Sequence, residues 1–186
     1  MRKLLVLLVS LSVLTMAGAA WANPALPRAE APVYITSFGQ SPDSNFVNLL
    51  SGRINLDRRH APLGTINDTY WNSARTLIAV LGGSGKGLGA AGVDVASELG
   101  RCDSLIASAR ENNKFIIGVH IGGEDRRGPA SETFIPYAGM VDFMIVRADG
   151  NRDGYFTRLC EEKGIPLLIV ENTRELEGIL REIFGL

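Results

Sequence analysis

Four glycine-rich, polar segments carry most of the side chains in this chain that could do chemistry. They read SFGQSPDSN (residues 37–45), GGSGKGLGAAG (82–92), GGEDRRGPAS (122–131) and ADGNRDG (148–154). In the second, glycines leave the backbone free enough for the N–H groups of Gly83, Ser84, Gly85, Lys86 and Gly87 to point at one ligand. A helix starting behind them adds positive potential, and Lys86 adds a cation. Such a loop suits a carboxylate, phosphate or sulfate. In the third segment Arg126 and Arg127 offer the planar fork that grips an oxyanion through two bonds, although Glu124 and Asp125 precede them and could pair with them. Ser131 could cap a helix or donate to the ligand. Gln40 and Ser41 from the first segment, and Asn151 and Arg152 from the fourth, complete a candidate ligand-binding set. Asp43 or Ser44 is suited to capping the next helix, and Asp149 and Asp153 to turn or cap positions.

The familiar catalytic and cofactor motifs fail on inspection. Gly85-Lys86 supplies the G-K of a Walker A loop, but Val80 stands at its first glycine and Gly87 at its hydroxyl. Gly87, Gly89 and Gly92 fit G-x-G-x-x-G, yet the added GGSGK lengthens the turn and no acid ends the following apolar run at Ile121. Lys86 also breaks a nucleophile elbow, G-x-S-x-G. The run DGNRDG lacks the spacing and terminal Glu of an EF-hand. No metal site and no cofactor are expected. There are two histidines: His60 lies in a polar stretch, and His120 ends an apolar run, where a bond to neighbouring backbone competes with a ligand contact or proton shuttle. Ser84, Lys86, His120 and Glu124 can be drawn as a hydrolase, with His120 or Glu124 carrying the proton, but the constellation is thin and no catalytic residue is assigned.

Composition sets the scale. The chain has 186 residues, enough for one domain with its own core. With 19 basic and 20 acidic side chains, no strong field draws it to nucleic acid or acidic membranes. Two cysteines, at 102 and 160, are too few for a disulfide scaffold or a four-thiolate zinc site, and spacing leaves open whether they are bridged.

The start of the chain resembles an export address. Arg2 and Lys3 precede an apolar run over 4–16, and Ala20 and Ala22 stand at the A-x-A spacing of a signal peptidase site. The run is too short to span a bilayer, which takes roughly 20 residues. Residues 1–22 are therefore expected to be a cleaved signal peptide, giving a periplasmic or secreted protein with no direct membrane insertion. Loss of Arg2 and Lys3 would take the net charge to about −3.

Positioning the four segments falls to alternating apolar and amphipathic runs. After a Pro/Ala-rich lead-in over 23–32, expected to be a flexible tether, strands are expected at 33–38, 77–81, 115–121, 143–146 and 166–170, with a weak edge strand at 61–66. Helices are expected at 44–56 (Phe46, Leu49, Leu50 and Ile54 on one face), 93–112 (Val95, Leu99, Leu105 and Ile106 inward), 131–138, 155–163 and 175–184 (capped by Thr173), with a helical turn at 67–74. Strands apolar throughout belong to a parallel sheet covered on both faces. The expected fold is a single-domain α/β, three-layer doubly wound parallel sheet, flavodoxin-like in outline, over 33–186. In such folds ligands collect beyond the strands' carboxyl ends, where the four polar segments lie.

The motifs ITSFGQSPD, GGSGKGLGAAG, HIGGEDRRGP and ADGNRDGYF, in that order behind a signal peptide, resemble an uncharacterised family of exported bacterial proteins defined as a domain of unknown function. The resemblance implies an exported α/β domain and assigns no activity. In plan the chain also looks like one lobe of a periplasmic solute-binding protein, without the length for two lobes and a hinge. The expected function is that of an exported binding protein for a small polar or anionic ligand, accessory to a membrane transporter. A periplasmic hydrolase or transferase using the same rim, or a protein–protein interaction module, are the alternatives.

Overall fold

The computed structural model describes residues 24–186; the expected signal peptide lies outside them. Six strands form one parallel sheet: β1 (Val33–Phe38), β2 (Arg58–His60), β3 (Thr76–Leu81), β4 (Phe115–His120), β5 (Phe143–Arg147) and β6 (Leu167–Val170). Their order is β2-β1-β3-β4-β5-β6, the doubly wound, flavodoxin-like arrangement, whose direction reverses between β1 and β3. The helices are α1 (Asp43–Arg53), α2 (Thr69–Ser73), α3 (Gly85–Ala91), α4 (Val95–Glu111), α5 (Pro129–Glu132), α6 (Tyr155–Lys163) and α7 (Glu175–Phe184). Short 3-10 turns at Gly123–Arg126, Ile135–Met140 and Ala148–Asn151 fill the connections.

Burial on both faces explains the strand sequences. β1 and β3 are buried at every position, which suits their largely apolar runs; the buried Thr36 and Thr76 hydroxyls donate to the carbonyls of Pro62 and Glu30. On one face Val33, Ile35, Ile78, Val80, Ile117, Val119 and Ile145 pack under α1 and α7, against Val47, Leu50, Leu176 and Leu180. On the other, Tyr34, Phe38, Leu77, Leu81, Ile116 and Met144 meet Trp71, Leu105, Phe134 and Phe156.

Several local expectations change. The edge strand is Arg58–His60, not 61–66, because Pro62 lacks an N–H and Gly64 closes a turn onto Ala61. A Cβ on Gly64 would collide with the Tyr34 hydroxyl. The region 131–138 splits into α5 and a 3-10 turn around Pro136. Thr173 does not cap α7: Asn172 accepts from Arg174 N (3.1 Å), while Glu175 accepts from Asn172 N (3.0 Å). In α4 the inner stripe is Glu98, Cys102, Leu105, Ile106 and Ala109, leaving Val95 exposed. The lead-in is no tether where described. Ala29 N donates to Ile183 O (3.1 Å), Thr76 Oγ1 donates to Glu30 O (2.7 Å), and Leu26 packs against the α1/α7 core. Cys102 and Cys160 are buried free thiols on separate helices, and burial pushes the Cys160 thiol up to about 11.

A buried clamp holds the turn after β1. Glu98, fully enclosed, accepts from Gly39 N (2.9 Å), Gln40 Nε2 (3.0 Å) and Arg101 Nη2 (2.8 Å). Arg101 also donates to Thr36 Oγ1 (3.1 Å), Gly64 O (2.8 Å) and Ser37 O. Gln40 adopts a left-handed φ of 59° and pairs with Gly83 through an isolated antiparallel bridge. The turns after β1 and β3 are thereby locked together at the point where the strand order reverses.

Candidate functional site

A cleft of about 380 Å3 opens at the carboxyl edge of the sheet, on the α1/α7 face. From α1 it takes Asp43, Phe46, Leu49, Leu50 and Arg53; from the turn after β4, Ile121, Gly122, Asp125 and Arg126. Arg147 ends β5, and Thr173 and Arg174 lead into α7. A depression of about 420 Å3 lies at the opposite edge, but there the Lys114 amine is committed to the carbonyls of Trp71 (2.9 Å) and Ala74 (2.6 Å).

Asp43, the first residue of α1, lines the cleft from its buried side. Backbone, not a side-chain cap, holds it: Asp43 N donates to Ser41 Oγ (3.3 Å), and the helix N-terminus favours its charge. Asp43 stands over the ends of β3 and β4, where a Cβ on Gly122 would come within 2.5 Å of its Oδ2 and collide with Arg126. Glycine at 122 is therefore what lets carboxylate and guanidinium approach. Asp43 Oδ2 and Arg126 Nε lie 3.5 Å apart without hydrogen-bond geometry, and both atoms are buried and unpartnered.

The other guanidinium groups differ in freedom. Arg147 Nε and Nη2 grip Asp149 at 2.6 Å each, which raises the arginine's pKa and holds Asp149 below the usual carboxylate range. Gly123, at φ 62°, makes room for this pair. Arg53 lies 3.5 Å from Glu177. Arg174 makes no ion pair among the described residues. Opposite these cations, Phe46 and Leu49 form an apolar wall, 55% and 52% exposed. They were expected to share one face with Leu50 and Ile54. The true inner stripe is Val47, Leu50, Ser51 and Ile54, and Phe46, Leu49 and Arg53 form the neighbouring stripe.

Of the ligand-binding set expected from sequence, Arg126 alone lines this cleft. Ser41 supports Asp43 from beneath. Gln40 Nε2 is spent on Pro62 O (2.9 Å) and Glu98. Gly83 N donates to Ser131 Oγ (3.0 Å), and the same hydroxyl donates to Gly83 O (3.1 Å). Ser84 caps α3 through Gly87 N (3.0 Å), and its own N–H goes to Gly39 O (2.9 Å). Gly87 is required because a Cβ there would strike Gln40 O. Most of the imagined anion nest is thus consumed by the fold; Gly85 and Lys86 are exposed on α3, away from the cleft.

Arg127 is equally committed. It pairs with Asp153 (2.9 and 2.8 Å) and Glu132 (3.1 Å), donates to Gly150 O (2.6 Å) and lies over Tyr155 and Phe156. Asn151 caps α6, accepting from Phe156 N (2.9 Å) and donating to Thr157 Oγ1 (2.8 Å). Arg152 and Glu124 pair with each other on the outer surface. His120 is fully enclosed, with Nδ1 2.9 Å from Leu81 O and its ring beside Phe156, and burial lowers its pKa. Gln40, Lys86, Arg126 and Arg152 all follow strand ends but do not share one pocket. Phe46, Leu49, Arg147 and Arg174 were not singled out as site residues. The sequence signal for them was the position of Arg147 and Arg174 at and just beyond strand ends, and the surplus apolar width of α1.

Fold and cleft together define a doubly wound α/β domain with a cleft at the strands' carboxyl ends. The chain belongs to the family described as Domain of unknown function (DUF6305), whose model matches residues 30–184. Neither the curated proteins nor the solved structures contain a significant match to it.

Proposed function

We propose that this is an exported binding protein that holds a small anionic molecule in the cleft between α1 and the turns after β4, β5 and β6. The observation that carries this reading is the presence of Arg126, Arg147 and Arg174, from three successive strand-end turns, on one concave surface at the carboxyl edge. Guanidinium groups suit carboxylate or phosphate oxygens, and the cleft volume is at the small end of the range for small-molecule sites. A membrane transporter would be the natural recipient of a ligand held outside the cytoplasm.

The test is calorimetric titration of the protein with acetate, 4-methylvalerate, citrate and inorganic phosphate, on wild type, Arg126→Ala, Arg174→Ala and Lys86→Ala. At least one acid binds wild type, weakens tenfold or more in each cleft variant, and is unaffected by Lys86→Ala. Failure of every acid, amino acids included, or loss on Lys86→Ala alone, would overturn this site.

A further inference from the structure

Resting on that binding reading, we infer that the ligand is zwitterionic with an apolar body: a free α-amino acid with a side chain such as that of leucine or phenylalanine. A purely anionic ligand leaves Asp43 unexplained. Its carboxylate is nine-tenths buried, borders the cleft, and accepts no hydrogen bond among the described residues. A buried acceptor without a donor is costly, and native folds retain such groups where they have work to do. Its one ion-pair partner among the described residues, Arg126 Nε, stands 3.5 Å off and is itself unpartnered. Acid and base are thus adjacent, unsatisfied by each other, and in the wall of one cleft.

An α-amino acid resolves both. Its ammonium carries three N–H donors and meets the Asp43 carboxylate. Its carboxylate draws the partly exposed Arg126 guanidinium outward and is shared with Arg174. The same geometry disfavours multiply charged anions such as phosphate or citrate, because further negative charge would face Asp43 at close range. Beyond the charged end, Phe46 and Leu49 present apolar surface that α1 does not bury in the core, with Ile121 as floor. That wall suits an aliphatic or aromatic side chain, and the cleft's size suits one residue better than a peptide.

The test compares leucine and phenylalanine with 4-methylvalerate, which lacks the ammonium, isoamylamine, which lacks the carboxylate, and glycine, which lacks the side chain. Isothermal titration on wild type is expected to give tightest binding for leucine or phenylalanine, with each of the other three at least tenfold weaker. Asp43→Asn, checked by circular dichroism for folding, is expected to bring leucine down to the level of 4-methylvalerate without weakening 4-methylvalerate. Equal binding of 4-methylvalerate and leucine to wild type would overturn the zwitterion while leaving an anion site intact. Equal binding of glycine would overturn the apolar body. Failure of every amino acid and every acid would remove the anion reading as well.

Discussion

Asp43 Oδ2 and Arg126 Nε face each other across 3.5 Å, both buried and neither hydrogen-bonded. Ion pairs kept for stability close to hydrogen-bond distance, as Arg127 does with Asp153 (2.8 Å) and Arg147 with Asp149 (2.6 Å) in the neighbouring turns. Unlike those two, the pair in the cleft stays open, and it sits where the sheet presents its strand ends.

Gly122→Ala is expected to separate carboxylate from guanidinium. The added methyl would meet Arg126 and Asp43 Oδ2 together, so ligand affinity falls at least tenfold while stability falls by about 1–3 kcal/mol, the usual cost of overpacking. Titration calorimetry and urea denaturation on one preparation check both numbers.

Asp43→Asn should be nearly neutral for stability, within about 1 kcal/mol. Losing the charge at the α1 N-terminus costs a few tenths of a kcal/mol to about 1 kcal/mol, and relief of a buried charge that accepts no hydrogen bond offsets it. A urea midpoint close to wild type, alongside lost amino-acid binding, is the expected outcome. A large destabilisation would mark Asp43 as a structural residue.

Breaking the clamp should be severe. Glu98→Ala leaves Arg101, only 10% exposed in its side chain, as an uncompensated buried cation. Removing one partner of such a pair costs about 3–5 kcal/mol, which lowers the melting temperature by on the order of 10 °C in a domain of this size. Glu98→Gln keeps an acceptor for Gly39 N and should lose less. Differential scanning calorimetry ranks the two.

Acid sensitivity is expected to trace in part to His120. The Leu81 carbonyl can only accept, so Nδ1 carries the proton, and burial lowers the folded-state pKa. Below the unfolded value of about 6.5 the unfolded chain takes up a proton that the native state refuses. Stability is therefore flat above that pH and declines as pH falls through the window between the unfolded and the lower native value. His120→Asn, which retains a donor toward Leu81, should flatten the slope of urea stability between pH 7 and 5. Some slope persists through His60, whose pKa burial also lowers.

Legibility varied with what each residue had to satisfy. Apolar runs such as LIAVL and FIIGVHI could be read as buried parallel strands because they are short, rich in Val and Ile and followed by glycine pairs, and α7 was found to the residue because its stripe of Leu176, Leu180 and Ile183 is regular. α4 was harder, since its inner stripe includes Glu98, and hydrophobic periodicity does not register a buried carboxylate. On α1 the count of apolar residues exceeded what the core takes. Periodicity alone could not say that Val47 faces inward while Phe46 and Leu49 face the cleft.

The amino-acid sequence by itself determined the sheet, its parallel sense and the edge where polar turns gather, because burial on both faces and local turn chemistry leave strong one-dimensional signatures. Tertiary structure alone decided which polar groups in those turns stay available. Gln40, Ser84, Arg127, Ser131 and Asn151 look as competent as Arg126 in one dimension, yet each finds a partner distant or adjacent in the chain that satisfies it. Hydrogen-bond satisfaction is a property of three-dimensional neighbours, so the groups left over at the cleft, Asp43 and Arg126, emerge only once the chain is folded, as does the unpartnered Nε2 of the enclosed His120.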